Sequence, residues 1–440
     1  MLDRRRFLGS IAYPAAFAGL ASLVPTAAAV ARSRSVLEEI AATPGSPEQL
    51  AGDEDFWWSI AEAFTIDRSV VNLNNGGVSP SPAIVQEAMK RRLDYSNTAP
   101  SPYALWKILE PQKEGVRQRL ARRWGVDPEE IAITRNSSES LQICQMGLDL
   151  KSGDEILCNT CDYPRMITTF KQRCRREGLT LNQIKIPIPC ESDDHLVSLY
   201  EKAITPQTRM ILVSHIVNIT GQIMPVKRIC ELAAKRNGGI PVIVDGAHAL
   251  AHFEFKLPDL GCDYYGVSLH KWLFAPHGTG LLYVKRDKIK GLWPLQAADT
   301  PLDTDIRKFE EIGTHPAANI LAIGEALTFF EGIGGPRKEA RLRHLRDYWA
   351  KRLLSHKSGR VKLHTSLKPQ FSCGIGTVQV EGLDTTKLND HLWDKHRILT
   401  VAIKHPEFEG LRITPSVYTM SEELDRFCEA MEHAIEKGID

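Results

Sequence analysis

Two apolar runs in the middle of the chain, Ile240-Pro-Val-Ile-Val244 and Tyr264-Tyr-Gly-Val267, each end on polar residues that a buried strand rarely carries. The first runs into Asp245-Gly-Ala-His248 and the second into Ser268-Leu-His-Lys271. Runs that are apolar at every position belong to strands covered on both faces, and such strands occur in parallel sheets packed by helices. The surrounding sequence repeats the pattern. Strand-like runs at 131–134, 155–158, 210–213 and 280–284 alternate with helical spacing over 116–124, 141–148, 166–177 and 226–235. This predicts an α/β fold whose mainly parallel sheet carries helices on both faces. Ligands of such sheets sit beyond the carboxyl ends of the strands, where Asp245 and Lys271 fall.

A carboxylate and an amine at the ends of two core strands suit a pyridoxal phosphate site. Asp245 is costly at the end of an apolar strand unless an opposite charge meets it, and a protonated pyridine nitrogen supplies one. Lys271 in an apolar setting loses proton affinity, becomes nucleophilic, and would form the Schiff base. Thr134-Arg-Asn-Ser-Ser-Glu-Ser140 follows a strand and opens a helix, where free amides and the helix dipole favour a phosphate. His248 and His252 stand four apart without the Glu of a zinc-protease motif, so no metal is expected there.

These motifs resemble the class V aminotransferase group of fold-type I pyridoxal phosphate enzymes, in its isopenicillin N epimerase-like branch. The resemblance spans roughly residues 70–425. It implies a seven-stranded, mainly parallel sheet in a large domain, followed by a smaller α+β domain. It also assigns roles. Ser137, Ser138, Ser268 and His270 would meet the phosphate. Tyr163 would stack on the cofactor ring, and Asn218 and His248 would contact the phenolic oxygen. Gly313-Thr314 resembles a segment that reaches a neighbouring subunit's phosphate, which implies a homodimer with Thr314 in its cofactor site. Leu411-Arg412-Ile-Thr-Pro415 resembles the motif whose Arg grips the substrate carboxylate, a task suited to a planar guanidinium. Asn74-Asn75-Gly76-Gly77 resembles a turn beside the substrate, and Gly76 and Gly77 are placed there. Thr419 departs from the Asn frequent after the Tyr of the C-terminal motif.

The chain divides, on this reading, into a signal (1–31), an N-terminal arm (32–68), a large domain (69–300) and a small domain (301–440). Arg4-Arg5-Arg6-Phe7-Leu8, a short apolar stretch and Ala29-Val30-Ala31 resemble a Tat export signal removed near Ala31, despite Asp3 where Ser or Thr is common. Such a signal implies a periplasmic or exported protein that meets the membrane only during export. The 440 residues carry 55 basic and 54 acidic side chains, a net charge of +1. No basic excess points to nucleic acid, so the partner is a small, amino-acid-like molecule. Nine cysteines without regular spacing do not read as a disulfide scaffold. Cys158-Asn-Thr-Cys161 is a single pair, better read as packing at a strand end than as zinc or redox chemistry.

The reaction is less constrained than the cofactor. Class V transamination is the leading expectation. Epimerisation would need a second acid facing Lys271, for which Tyr103 or His215 are candidates. A periplasmic siderophore-tailoring reaction and a sulfur amino-acid lyase or cysteine desulfurase are further alternatives. Desulfuration requires a cysteine on a loop ahead of the C-terminal Arg, and residues 397–411 contain none. Borohydride reduction of the cofactor-loaded protein followed by peptide mapping should find the adduct on Lys271. An adduct elsewhere, or none, would overturn the assignment.

Overall fold

The structure, a computed structural model, describes Val36, Ile40 and residues 43–439. The twin-arginine segment and the cleavage expected near Ala31 lie outside the described residues. A short strand β1 (Val71–Asn72) precedes the main sheet. That sheet contains β2 (Ile131–Thr134), β3 (Glu155–Asn159), β4 (Thr180–Ile184), β5 (Thr208–Ser214), β6 (Val242–Asp245), β7 (Tyr264–Ser268) and β8 (Gly280–Val284). Its seven strands lie in the order β2-β8-β7-β6-β5-β3-β4. β8 runs antiparallel to both of its neighbours, and the other pairs are parallel. The fully apolar strands are buried along their whole length, as two-sided covering requires. Parallel pairing needs crossovers, and the helices Ser137–Gly147, Pro164–Glu177 and Val226–Ala234 supply them.

This topology sets the position of the site. β3, β5, β6 and β7 all point the same way, and β2 joins them through two antiparallel steps. Their carboxyl ends, Thr134, Asn159, Ser214, Asp245 and Ser268, therefore share one edge of the sheet. Gly246 follows Asp245 because nothing larger fits. A Cβ there would lie 1.9 Å from the Tyr265 ring.

The smaller unit is a four-stranded antiparallel sheet in the order β12-β13-β10-β9, with β9 (Val361–Leu363), β10 (Gly376–Val380), β12 (Val401–His405) and β13 (Phe408–Ile413). The helices Gly335–Leu354 and Ser421–Lys437 bury Leu345, Trp349, Phe427 and Met431 against it. β11 (Ile398–Leu399) lies between β10 and β12 in the chain and pairs in parallel with β1.

Packing redraws the boundaries expected at 69 and 300. The helix Ala317–Ile333 buries Ile320, Ile323, Leu327 and Phe330 in the core of the large unit, so that core continues past residue 300. Conversely, Val71 and Leu73 join the core of the small unit. The helix Glu54–Ala61 of the arm packs Phe56, Trp57 and Ile60 with Phe274, Phe329 and Tyr418, tying all three parts together.

One buried ion network braces the outer strand. Arg117 donates to Glu310 at 2.6 and 3.0 Å, Ile133 N donates to Glu310 Oε1 at 2.6 Å, and Lys113 lies 2.6 Å from Oε2. Burial would raise the Glu310 pKa, but the Arg117 guanidinium outweighs it and holds the carboxyl below its ordinary range. Its stabilisation is therefore present above the unfolded carboxylate pKa and is lost as pH falls through the folded value. Glu310→Ala would leave Arg117 to Glu114 alone, take the carboxylate from Lys113 and leave the buried Ile133 amide without its acceptor. It should lower unfolding free energy by about 3–5 kcal/mol in urea titration at pH 7. A loss below about 1 kcal/mol would show that the network does not brace the strand.

Candidate active site

The shared edge opens into a cavity of about 540 Å³. Its lining brings together Ser137, Ser138, Tyr163, Asn218, Asp245, His248, Ser268, His270, Lys271 and Arg412, with Gly76 and Gly77 at one wall. Thr314 is exposed and lies outside this lining. Tyr103 is 59% exposed, also outside it. His215 is buried behind the site, where Nδ1 meets Tyr265 Oη at 2.9 Å and Phe253 and Phe255 enclose the ring. Burial pushes its pKa down to about 3, so it is a structural, uncharged ring.

Asp245 ends β6 with 6% exposure. Its Oδ1 accepts from Ala247 N at 3.0 Å. Burial raises its pKa, which the Ala247 amide and the Lys271 charge only partly oppose. The carboxylate therefore calls for a cation in the cavity.

Lys271 is drawn the other way. Burial lowers its pKa to about 8, with Asp245 resisting and Arg412 assisting. Its immediate partner fixes the proton count. Trp272 Nε1 can only donate, and it points at His248 Nδ1 across 3.4 Å, long for a hydrogen bond but close enough to exclude a proton on that nitrogen. A neutral His248 then carries its proton on Nε2, which lies 3.1 Å from Lys271 Nζ. Nε2–H donates, and the amine accepts through its lone pair. Burial keeps His248 well below its ordinary pKa, in agreement with a neutral ring.

His252 supports this arrangement from behind. Gly374 N donates to its Nε2 at 2.8 Å, so Nδ1–H donates to the His248 carbonyl at 2.7 Å. Its ring stacks on Trp272 with centroids 3.7 Å apart. Both ring nitrogens are thus used within the protein and are unavailable as metal ligands.

The phosphate end is built at the start of the helix Ser137–Gly147. The Asn136 side chain caps it by accepting from Glu139 N. Ser137 N donates to Ser268 Oγ at 2.9 Å, and Ser268 Oγ in turn donates to Ser137 Oγ at 2.9 Å. Among the described residues the amide of Ser138 has no partner, which leaves a free donor at the positive end of the helix dipole. His270 Nδ1–H donates to the Thr279 carbonyl at 3.2 Å. Burial lowers its pKa to about 4, so in the neutral ring Nε2 is a bare acceptor. A phosphate at that nitrogen would meet a donor only on a protonated ring.

Arg412 leaves β13 and is 7% exposed. Nη2 donates to Asn74 Oδ1 at 2.8 Å and Nη1 to the Asn218 carbonyl at 3.3 Å, while Nε is buried without a partner. No carboxylate pairs with this cation among the described residues, and burial lowers its pKa to about 10. Asn218 Oδ1 is likewise buried without a partner.

Sequence reasoning passed over several groups that the structure brings in. Asn136, Arg165, Ser214 and Ile216 line the cavity. Ser214 is held by Asp162, whose Oδ1 accepts from its amide at 2.9 Å and its hydroxyl at 2.7 Å. The signal available for both was their place at strand ends on the active edge. The cysteines are elsewhere. Cys158 and Cys161 are buried in separate apolar clusters, and Cys373 sits against the His252 carbonyl.

The unmet groups fit pyridoxal phosphate. Asp245 suits a pyridinium, the Ser138 amide and the Ser137 and Ser268 hydroxyls suit a phosphate, and Lys271, its pKa lowered to about 8, presents an amine that loses its proton readily for the aldehyde.

Comparison with known proteins agrees with this geometry. Residues 71–405 match the family of class-V aminotransferases. The chain is 30% identical to isopenicillin N epimerase of Streptomyces clavuligerus over 393 residues, 86% of this chain and 98% of that protein. It is 28% identical to a probable cysteine desulfurase of Halalkalibacterium halodurans over 329 residues, 71% and 78% of the two chains. In fold it is similar to a C-DES variant with glycine covalently linked to its PLP cofactor. That match has TM-score 0.75 and 22% identity and covers 83% and 97% of the two chains.

Apoprotein should capture pyridoxal phosphate at a rate that rises with pH through a midpoint near 8, followed by absorbance. Trp272→Phe frees His248 to take the other tautomer and lets Lys271 keep its proton, so the midpoint should move upward. A wild-type midpoint at the ordinary lysine value near 10.5, or no change in the variant, would refute this proton assignment.

Proposed function

Because this chain belongs to the aminotransferase class-V family, whose cofactor is pyridoxal phosphate, we propose that it removes and returns the α-proton of an amino-acid-like substrate, inverting that centre. One arrangement carries this reading. Lys271 enters the cavity after β7, on one side of Asp245, and Tyr163 enters after β3, on the other side. Two groups that can each hold a proton thus enter from opposite flanks of Asp245, and inversion would use them as a pair, one on each face of the reacting carbon. Similarity to an isopenicillin N epimerase over 98% of that protein's length favours the same chemistry.

When bound, pyridoxal phosphate acts as an electron sink that acidifies the hydrogen on the substrate's α-carbon. The protein supplies the remainder. Arg412 binds the substrate carboxylate as a two-point clamp, its free Nε completing the fork. Asp245 keeps the ring nitrogen protonated. Lys271 Nζ takes the proton on its side through the lone pair that faces His248 Nε2–H, and exchange with water afterwards returns the ammonium and the Tyr163 phenolate to their starting states. Tyr163 Oη delivers a proton from the opposite side. Tyr163 is 38% exposed, so its hydroxyl can exchange with water between turnovers.

The cysteine desulfurase reading draws less support, because no thiol lines the cavity among the described residues. Transamination remains the second reading, since it needs only Lys271, Arg412 and an incoming keto acid. On our reading the enzyme is exported by its twin-arginine start, and it acts as a homodimer in which Thr314 of one copy serves the phosphate site of the other.

The test uses cofactor-loaded protein with single amino acids in deuterated water. Inversion with deuterium incorporation is expected. In Tyr163→Phe, exchange should continue with retention while inversion falls roughly 10²–10⁴-fold, the ordinary contribution of a placed acid. Accumulation of the pyridoxamine form without inversion would favour transamination instead. Arg412→Ala should weaken carboxylate substrates on the order of 10–100-fold and leave the cofactor bound, read as KM against cofactor content.

A further inference from the structure

One cation of the cavity has no anion of its own in the protein. Among the described lining residues Asp245 is the only carboxylate, against Lys271, Arg412 and Arg165. The cofactor's ring nitrogen answers Asp245, and the substrate's α-carboxylate answers Arg412. The Ser138 amide and the hydroxyls of Ser137 and Ser268 offer the phosphate hydrogen bonds but no charge, so position has to decide which anion Arg165 meets. Arg165 is left over. Among the described residues its side chain forms no ion pair and no hydrogen bond, and it stands in the first turn of the helix Pro164–Glu177.

Its position assigns it to the substrate rather than to the phosphate. Ser137 and Ser268 are buried at the inner end of the cavity, whereas Arg165 and Tyr163 are exposed at its mouth. Tyr163, two residues away, is close enough to Arg412 to influence its charge. Arg165 is therefore on the flank where the substrate's carboxylate is held, farther out. A guanidinium lining a mouth without an anion of its own recognises carboxylate, sulfonate or phosphate by paired hydrogen bonds.

We propose that Arg165 is a second anion-binding residue and that the substrate carries an acidic group at the far end of its side chain. This rests on the reading that the cavity binds an α-amino carboxylate at Arg412, and it names the class of substrate within that reading. It does not depend on which reaction follows.

The experiment titrates cofactor-loaded protein with matched pairs of amino acids and follows the cofactor's absorption. The pairs are L-glutamate with L-norvaline, and each homologue one methylene longer. Wild type should bind at least one acidic member tenfold or more tightly than its neutral match. Arg165→Ala should bring that ratio to about one and leave the neutral member's affinity and the retention of cofactor unchanged. Arg165→Glu should turn the preference toward L-ornithine or L-lysine.

Three outcomes would overturn the proposal. Wild type could show no acidic preference at either length. Arg165→Ala could keep the ratio. Or it could lose pyridoxal phosphate with the ratio intact, which would put Arg165 on the cofactor's phosphate. Failure of the cofactor to respond to any of these acids is a different result. It would sink the underlying assignment of the cavity, and this proposal with it.

Discussion

A carboxylate at the end of a strand buried on both faces cannot stay ionised unless a cation meets it. Asp245 is in that position, and the rest of the site follows from it. The nearest cation, Lys271, is itself buried and gives up its proton readily, so the pair does not close into a stable salt bridge. The result is a base that holds its proton weakly beside an acid without its partner. Both are poised for a ligand that brings an aldehyde to one and a ring cation to the other. A surface pair would have been satisfied by water and by itself, and would have had no such demand.

The fold holds this tension by topology more than by local bonding. Each polar group at the edge is carried by a strand whose other residues are locked in the core. Moving Asp245 would mean moving Val242, Ile243 and Val244, all of them buried. This is also why so much was legible in the sequence. Apolar runs such as those of β6, β7 and β8 and the helices at 113–124 and 164–177 are dictated by burial, and burial leaves its mark in composition. β4 was not read because Thr180–Ile184 lies at the sheet's edge, half-exposed and polar, with no continuous apolar signal. β1 and β11 are two residues each and exist only through their pairing with one another, a long-range fact that no local pattern contains.

The same distinction runs through the site. Residues at strand ends announced themselves, because a polar residue there interrupts a buried run. Arg165 gave no such signal, since an arginine in the first turn of an amphipathic helix looks like any solvated charge. What sets it apart is that it lines the cavity without an anion of its own, visible only when its neighbours are known. The roles of Tyr103 and His215 failed to follow for the opposite reason. Both are plausible acids by type, but one lies outside the cavity and the other is caged by aromatic rings behind it.

The loop carrying Lys271 is held from the small unit as well as from the sheet. Lys338, on the helix Gly335–Leu354, donates its Nζ to the Trp272 carbonyl and lies 3.8 Å from the centre of the Phe274 ring. Gly374, ahead of β10, donates to His252, which stacks on Trp272 and orients the His248 carbonyl. Two contacts from one unit thus converge on Trp272, one at its carbonyl and one through the His252 ring stacked on its indole, and that indole fixes the proton on His248 in the other. Arg412 comes from that same small unit, so the cation proposed to hold the substrate carboxylate and the two groups that brace Trp272 are carried together. A shift of the small unit against the sheet would move the clamp and loosen the tautomer lock together. The chemistry is therefore coupled to the fit of the two units, through Trp272, and not only to the residues that touch the substrate.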